Sequence, residues 1–326
     1  GKREWLATSW GVLNWCACFV WLLHTKHARW HWLARVDRVT QTLAEVLALL
    51  KLEQVGDDQF RGRSPGQHAF TRVFGGQLFA QMLLAADATV GDDRDVHSMH
   101  ACLLRPGHQS QPSGLHVHRG LDGRSFSNRT VSAHQGEKQI CNFAASFAVP
   151  SDGPEFQEWQ PRVAAPDVLP PHPDLTDQYD EVLEYVAGTG AIEFRFEEGI
   201  VDRASKGSSR WHVWFRVNGD LPDRQVVHSA VVAYASDIFL LETTLRTHDV
   251  GWLEDVDFAT IDYSMWFHRP FRLDGWNLLA FGAAMAREGR GLSYGELFNA
   301  SGEALASMTQ EGVTRYKPGR GEDLRS

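Results

Sequence analysis

Leu103-Leu-Arg-Pro106 and Phe267-His-Arg-Pro270 close two strand-like stretches that lie 164 residues apart in one chain. Each stretch follows a long apolar helix signal, and each is followed by the same glycine punctuation. Gly123-Arg-Ser-Phe-Ser127 matches Gly289-Arg-Gly-Leu-Ser293, and Gly136-Glu137 matches Gly302-Glu303, both at an offset of 166. Chance could supply any one of these matches. Three in register within two residues mark an internal repeat, and a repeat decides architecture before other signals do.

The elements inside each copy say what the unit is. In the first, Val39, Leu43, Val46, Leu47 and Leu50 recur at helical spacing over 38–52. A charged loop runs to Gly66, and Phe74-Gly-Gly-Gln77 opens an apolar run, 78–90, that reads as a helix buried on most sides. Strand patterns follow at 96–104, 115–119, 125–134 and 139–149, separated by glycine-bearing turns. Seven of the 13 prolines then fall between Pro150 and Pro173, which reads as a linker, followed by a short acidic helix over 175–186. The second copy shows strands at 192–196 and 211–217, and a long apolar helix over 226–245. Strands at 258–268, 277–284 and 293–299 follow, with a closing stretch at 304–313. One long helix wrapped by an antiparallel meander, present twice, is an α+β fold of the double hotdog kind.

Composition limits the function. With 326 residues, 43% hydrophobic and 22% charged, the chain is long enough for two packed domains. A formal charge of −9 argues against a nucleic-acid partner, which needs a basic face to displace counterions. The four cysteines (Cys16, Cys18, Cys102, Cys141) form no C-x-x-C pair or zinc spacing, so a reduced, cytoplasmic setting is expected. Pairs such as His97/His100 and His116/His118 lack a third ligand, and no metal is assigned. Six of the 12 tryptophans lie in the first 35 residues. The apolar run there, 10–23, is shorter than the ~20 residues of a membrane span, and no cleavage site of the small-residue kind follows it. That segment is expected to be a dispensable extension, with no stable membrane span.

The repeat also points to chemistry. At the offset of 164, Thr260 falls opposite Val96; at 166, Gln310 falls opposite Ala144. A buried polar side chain without a partner costs about 1–3 kcal/mol, so polar residues replacing apolar ones call for a reason. Either could simply satisfy a neighbouring backbone group. Asp237 strengthens the functional reading. It sits inside the apolar run Val231-Val-Ala-Tyr-Ala-Ser-Asp-Ile-Phe-Leu-Leu241, with no Gly or Pro to break the helix. A lone carboxylate there is a candidate general base with a raised pKa. The helix of copy one cannot be aligned well enough to name a counterpart.

These residues lie in stretches that resemble the acyl-CoA thioesterase II family from about Leu43 to Tyr316. Val73-Phe-Gly-Gly-Gln77, His97-Ser-Met-His100 and Gly123-Arg-Ser-Phe126 carry the resemblance in the first half. Ala233-Tyr-Ala-Ser-Asp237, Ala259-Thr-Ile-Asp262, Ser264-Met-Trp-Phe-His-Arg-Pro270 and Gln310-Glu-Gly312 carry it in the second. The resemblance implies a double hotdog that hydrolyses fatty acyl-CoA to free acid and coenzyme A, a hydrolase of lipid metabolism. It implies a catalytic trio at Asp237, Thr260 and Gln310, with no metal, no cofactor and no covalent acyl-enzyme. The thioester oxygen, gaining charge in the transition state, would be met by backbone N–H groups near a helix. The expected domains are an extension (1–37), a non-catalytic hotdog (38–150) and a linker with a short helix (151–189). A catalytic hotdog (190–318) and a tail (319–326) follow. A homo-oligomer is the expected assembly.

Three rival readings are weaker. Gly62-Arg-Ser-Pro-Gly66 fits the serine-hydrolase elbow, but Pro65 has no N–H to give an oxyanion. A hotdog hydratase or dehydratase would place a histidine near the helical aspartate, whereas the first after Asp237 is His248. A non-catalytic acyl-CoA-binding module is the alternative outside enzymes, and retention of all three polar residues in one copy argues against it.

Overall fold

The structure, a computed structural model, describes residues 42–64, 72–170, 190–199, 208–248, 250 and 255–317. All of these residues belong to one compact unit, which begins at Thr40. The extension, the expected acidic helix at 175–186 and the tail lie outside the described residues.

Helix α1 (Leu43–Leu50) begins at Thr42, whose hydroxyl accepts from the Glu45 N–H while the Glu45 carboxylate accepts from the Thr42 N–H. The expected charged loop after it is instead a hairpin, β1 (Glu53–Gly56) and β2 (Gln59–Gly62), turning at Asp58 with φ +54°. Each strand is only four residues long, and the edge strand β1 is exposed throughout, so neither offers enough periodicity to be read from the sequence. Helix α2 (Gly75–Asp87) follows, starting at the glycines, and then β3 (Asp95–Leu103), β4 (Ser113–Asp122), β5 (Phe126–Gln135) and β6 (Lys138–Ala148). The proline-rich stretch packs as a strap. The Trp214 indole N–H donates to the Ala164 carbonyl, and Gln157 bridges Gly302 and Ala304. The second copy contributes β7 (Ile192–Phe196), β8 (Arg210–Val217), α3 (Gln225–Ser236), β9 (Val256–Phe267), β10 (Asn277–Arg287), β11 (Arg290–Asn299) and β12 (Ala304–Tyr316).

All twelve strands form one sheet, in the order β1-β2-β4-β5-β6-β3-β9-β12-β11-β10-β8-β7. The order is a palindrome, as two copies related by a two-fold axis require. The axis passes through the seam, where Ser98–Cys102 runs antiparallel to Asp262–Trp266 with His100 opposite Ser264, residues 164 apart. Even irregularities repeat: the bulge between Val96 and Ser98 in the β3–β6 ladder recurs between Thr260 and Asp262 in β9–β12.

Register corrects one expected correspondence. Met99 pairs with Ala145 as Tyr263 pairs with Gln310, so the apolar counterpart of Gln310 is Ala145, not Ala144. The register does not keep the offset of 166: β3/β9, β4/β10 and β5/β11 correspond at 164, and β6/β12 at 165, because the β11–β12 turn is longer than the β5–β6 turn. Val96 remains the counterpart of Thr260.

Both helices lie on the inner face of the sheet in one continuous core shared by the copies. The expected long helix at 226–245 is a second correction: α3 stops at Ser236, and the chain re-forms a 3₁₀ turn at Leu241–Thr244. Two strand glycines admit that turn. A Cβ on Gly312 would lie 2.1 Å from Leu241 Cδ2, and one on Gly291 would lie 2.6 Å from Thr244 Cγ2. The stretch Gln225–Thr244 is the one described segment long and apolar enough to cross a membrane, and it is 89% buried inside the fold.

Candidate active site

Asp237 is the residue at which α3 ends, directly after Ser236. Three donors reach its carboxylate. The Gly76 N–H donates to Oδ2 at 2.7 Å, the Gln310 Nε2 amide donates to Oδ1 at 2.7 Å, and the Thr260 hydroxyl stands 3.4 Å from Oδ1. Gln310 Nε2 also donates to Thr260 Oγ1 at 2.7 Å. The three residues named from sequence thus meet at one point, from a helix end and two neighbouring strands. The repeated bulge turns Thr260 toward the helix, and Gln310 faces inward from β12.

The fourth participant comes from the other copy. Gly76 belongs to the first turn of α2, where backbone N–H groups have no partner within the helix and the helix dipole favours negative charge. Nothing larger than hydrogen fits there: a Cβ on Gly76 would lie 2.6 Å from the Tyr234 carbonyl, and one on Gly75 2.8 Å from Asp237 Oδ2. The Phe74-Gly-Gly-Gln77 motif therefore serves the site by close approach, a role that composition and spacing did not reveal. Its Gly76 N–H is committed to the carboxylate. Gln77 and Gln81, one helical turn apart, donate to the Arg63 carbonyl and hold the chain after β2 on the helix.

Burial decides the electrostatics. Asp237 is 8% exposed, and desolvation pushes its carboxyl up to about 7, against the opposing pull of Gly76, Thr260 and Gln310. At neutral pH it is divided between acid and base forms, as suits a group that takes and returns a proton. Thr260 accepts a good hydrogen bond from Gln310 but makes only a long one to Asp237, so its proton is available to a ligand. Gln310 Oε1 is buried with no partner among the described residues. Among those residues no group of three His, Cys, Asp or Glu could hold a metal ion.

The structure also supplies the missing counterpart. Aligning α2 and α3 at their first residues, Gly75 and Gln225, places Asp87 opposite Asp237. The contacts agree: Asp237 meets the start of α2, and Asp87 meets Arg224, the residue preceding α3, at 2.7 Å. Copy one keeps the carboxylate but ties it to a guanidinium, and it lacks both polar partners, having Val96 and Ala145 in their places. Burial pushes Asp87 up to about 6, with Arg224 opposing.

Comparison with known proteins bears on the fold and the family. A family model described as acyl-CoA thioesterase matches residues 188–313, and one described as the acyl-CoA thioesterase N-terminal domain matches 64–148. Acyl-CoA thioesterase 2 of Haemophilus influenzae is 37% identical over 292 residues, covering 85% of this chain and 99% of its own. The solved acyl-CoA thioesterase II of Mycobacterium marinum is 33% identical with a TM-score of 0.69, over 84% of this chain and 99% of that one. A hot dog fold protein of Alicyclobacillus acidocaldarius, 18% identical, shares the fold with a TM-score of 0.69 over 83% and 97%. The internal repeat, the sheet built as two hotdogs about a seam, and these similarities together show that the chain belongs to the acyl-CoA thioesterase II family.

Proposed function

We propose that the chain hydrolyses fatty acyl-CoA thioesters to free acid and coenzyme A with water as the nucleophile, at one site per chain centred on Asp237. The observation that carries this reading is the convergence of Gly76, Thr260 and Gln310 on one buried carboxylate. In the attacking arrangement Asp237 accepts a proton from water, while the Thr260 hydroxyl and Gln310 Oε1 fix its orientation. Gly76 holds the carboxylate still without neutralising it. The Thr260 hydroxyl makes only a long bond to Asp237 and is held by Gln310, so in this reading it orients the water rather than attacking. The water adds to the thioester carbon and the sulfur leaves as the thiolate of coenzyme A.

Copy two (190–318) is the catalytic domain in this reading and copy one (38–150) its support, joined by the segment 151–189. The test is release of free thiol from an acyl-CoA series by purified protein, with Asp237→Asn beside wild type. Loss of a general base lowers turnover by about 10²–10⁴-fold. Near-normal hydrolysis by folded Asp237→Asn sinks the assignment. A cytoplasmic location is proposed from the free thiols of Cys102 and Cys141. A homo-oligomer is proposed because Trp266, Leu292 and Tyr294 stand exposed on the outward face of the sheet. Sedimentation of the purified protein checks the second point.

A further inference from the structure

The trio leaves unused a polar pair directly behind it. The Ser236 hydroxyl donates to the Val232 carbonyl at 2.6 Å, which uses its one proton. The Tyr263 hydroxyl, 2.7 Å away, therefore donates into Ser236 Oγ. Both side chains are fully buried. Tyr263 also stacks on Phe79 of α2, centroids 5.1 Å apart, and it is the register partner of Gln310. It thus touches the helix that presents Gly76, the residue preceding Asp237, and the strand that carries Gln310.

The repeat shows that the fold does not need this pair. The counterpart of Tyr263 is Met99, paired with Ala145 in the same register, and the counterpart of Ser236 is Ala86. Both are buried and apolar. Copy one fills these places with nothing to satisfy, whereas copy two buries two hydroxyls and pairs them. The exchange of apolar for polar that singles out Thr260 and Gln310 therefore extends one layer deeper. The need for it is local. At Asp237 the helix stops, and the next backbone bonds are long, 3.4 Å from the Ile238 N–H to the Ala235 carbonyl and 3.3 Å from Leu240 to Ser236. The backbone alone holds this carboxylate loosely.

We propose that Tyr263 and Ser236 are positioning residues of the catalytic copy, through which β9 holds the last turn of α3 so that the Asp237 carboxylate stays against the Gly76 N–H. Neither touches the reacting atoms, and the proposal rests on Asp237 being the base. Burial and the donors Gly76, Thr260 and Gln310 set the Asp237 carboxyl; the nearby phenol of Tyr263 is pushed up by burial and stays neutral.

Tyr263→Phe keeps the ring and its stacking and removes only the hydroxyl; Ser236→Ala removes the other half. Each is expected to lower kcat by roughly tenfold with KM unchanged, since small displacements of a reacting group cost rate rather than binding. The double variant falls no further than either single one, because the two act as one unit. In all three the acid limb of the kcat profile moves to higher pH, as a carboxylate that loses part of its Gly76 bond is harder to ionise. Wild-type kcat with an unmoved limb in folded Tyr263→Phe overturns the proposal, as do additive losses in the double variant or a change confined to KM. Asp237→Asn is assayed in parallel. If it is inactive while Tyr263→Phe is normal, only the positioning role fails; if it is active, the base itself is misassigned.

Discussion

At the scale of the residue, the carboxyl of Asp237 is governed by competition between burial and its three donors, and burial wins. In the proposed mechanism the base is the ionised form, so turnover depends on the fraction ionised. Below about pH 7 kcat should fall tenfold per pH unit, and above it level off. A pH profile on a saturating acyl-CoA checks this; a flat profile from pH 5 to 8 would contradict the role. Thr260→Val and Gln310→Ala recreate what copy one tolerates as Val96 and Ala145, so both should fold normally by thermal melt. Each should lower turnover, by at least about tenfold, because the water loses an orienting partner. The side chains themselves were legible as polar exceptions in an apolar repeat. Gly76 was not, because a backbone N–H has no letter in a sequence.

Among the elements, the decisive contact is between the start of α2 and the end of α3. Helices approach this closely only where side chains are absent, and Gly76 supplies that absence against the Tyr234 carbonyl. Gly76→Ala places a methyl group 2.6 Å from a backbone oxygen that no side-chain rotation can move. The helix end must withdraw, drawing its N–H away from Asp237. The expected result is a loss of kcat of about 10²-fold, in line with a displacement of about 1 Å at a reacting centre. Steady-state kinetics on the folded variant check it; unchanged kcat would mean that the Gly76 contact is dispensable. The end of α3 was misread for a related reason. Residues 226–245 are uniformly helix-compatible, and what stops the helix at Ser236 is room for a 3₁₀ turn above Gly291 and Gly312, more than fifty residues later.

For the whole molecule, two buried carboxyls, Asp237 and Glu242, and the half-buried Asp87 bear on stability. Asp87, Asp237 and Glu242 are pushed up to about 6, 7 and 8, chiefly by burial, with Arg246 opposing the shift at Glu242. Unfolded carboxyls titrate near 4. Between about pH 4 and 8 the folded state therefore holds protons that the unfolded state releases. The contribution of these groups is complete below their unfolded pKa and is lost as pH rises through their folded values. Glu242→Gln keeps the shape and cannot ionise, so the fall in thermal midpoint from pH 6 to 8 should be shallower than in wild type. Scanning calorimetry at pH 5, 6, 7 and 8 measures this; parallel curves would show that Glu242 does not report on folding.

The same scale separates what each level of description decided. The chain alone determined the repeat and the helix-and-meander unit, and it marked Asp237, Thr260 and Gln310 as candidates for the proposed site. Periodicity and turn glycines are local, and an internal duplicate supplies its own reference for what is unusual. Tertiary structure decided the rest. It set the offset along each strand, moving the counterpart of Gln310 from Ala144 to Ala145, because turns absorb residues that strands cannot. It ended α3 at the carboxylate and brought Gly76 across from the other copy. It also showed that Asp87, sequestered by Arg224, stands where a second site would be. Each of these depends on the distance between residues about fifty to more than a hundred and sixty apart in the chain, which folding alone fixes.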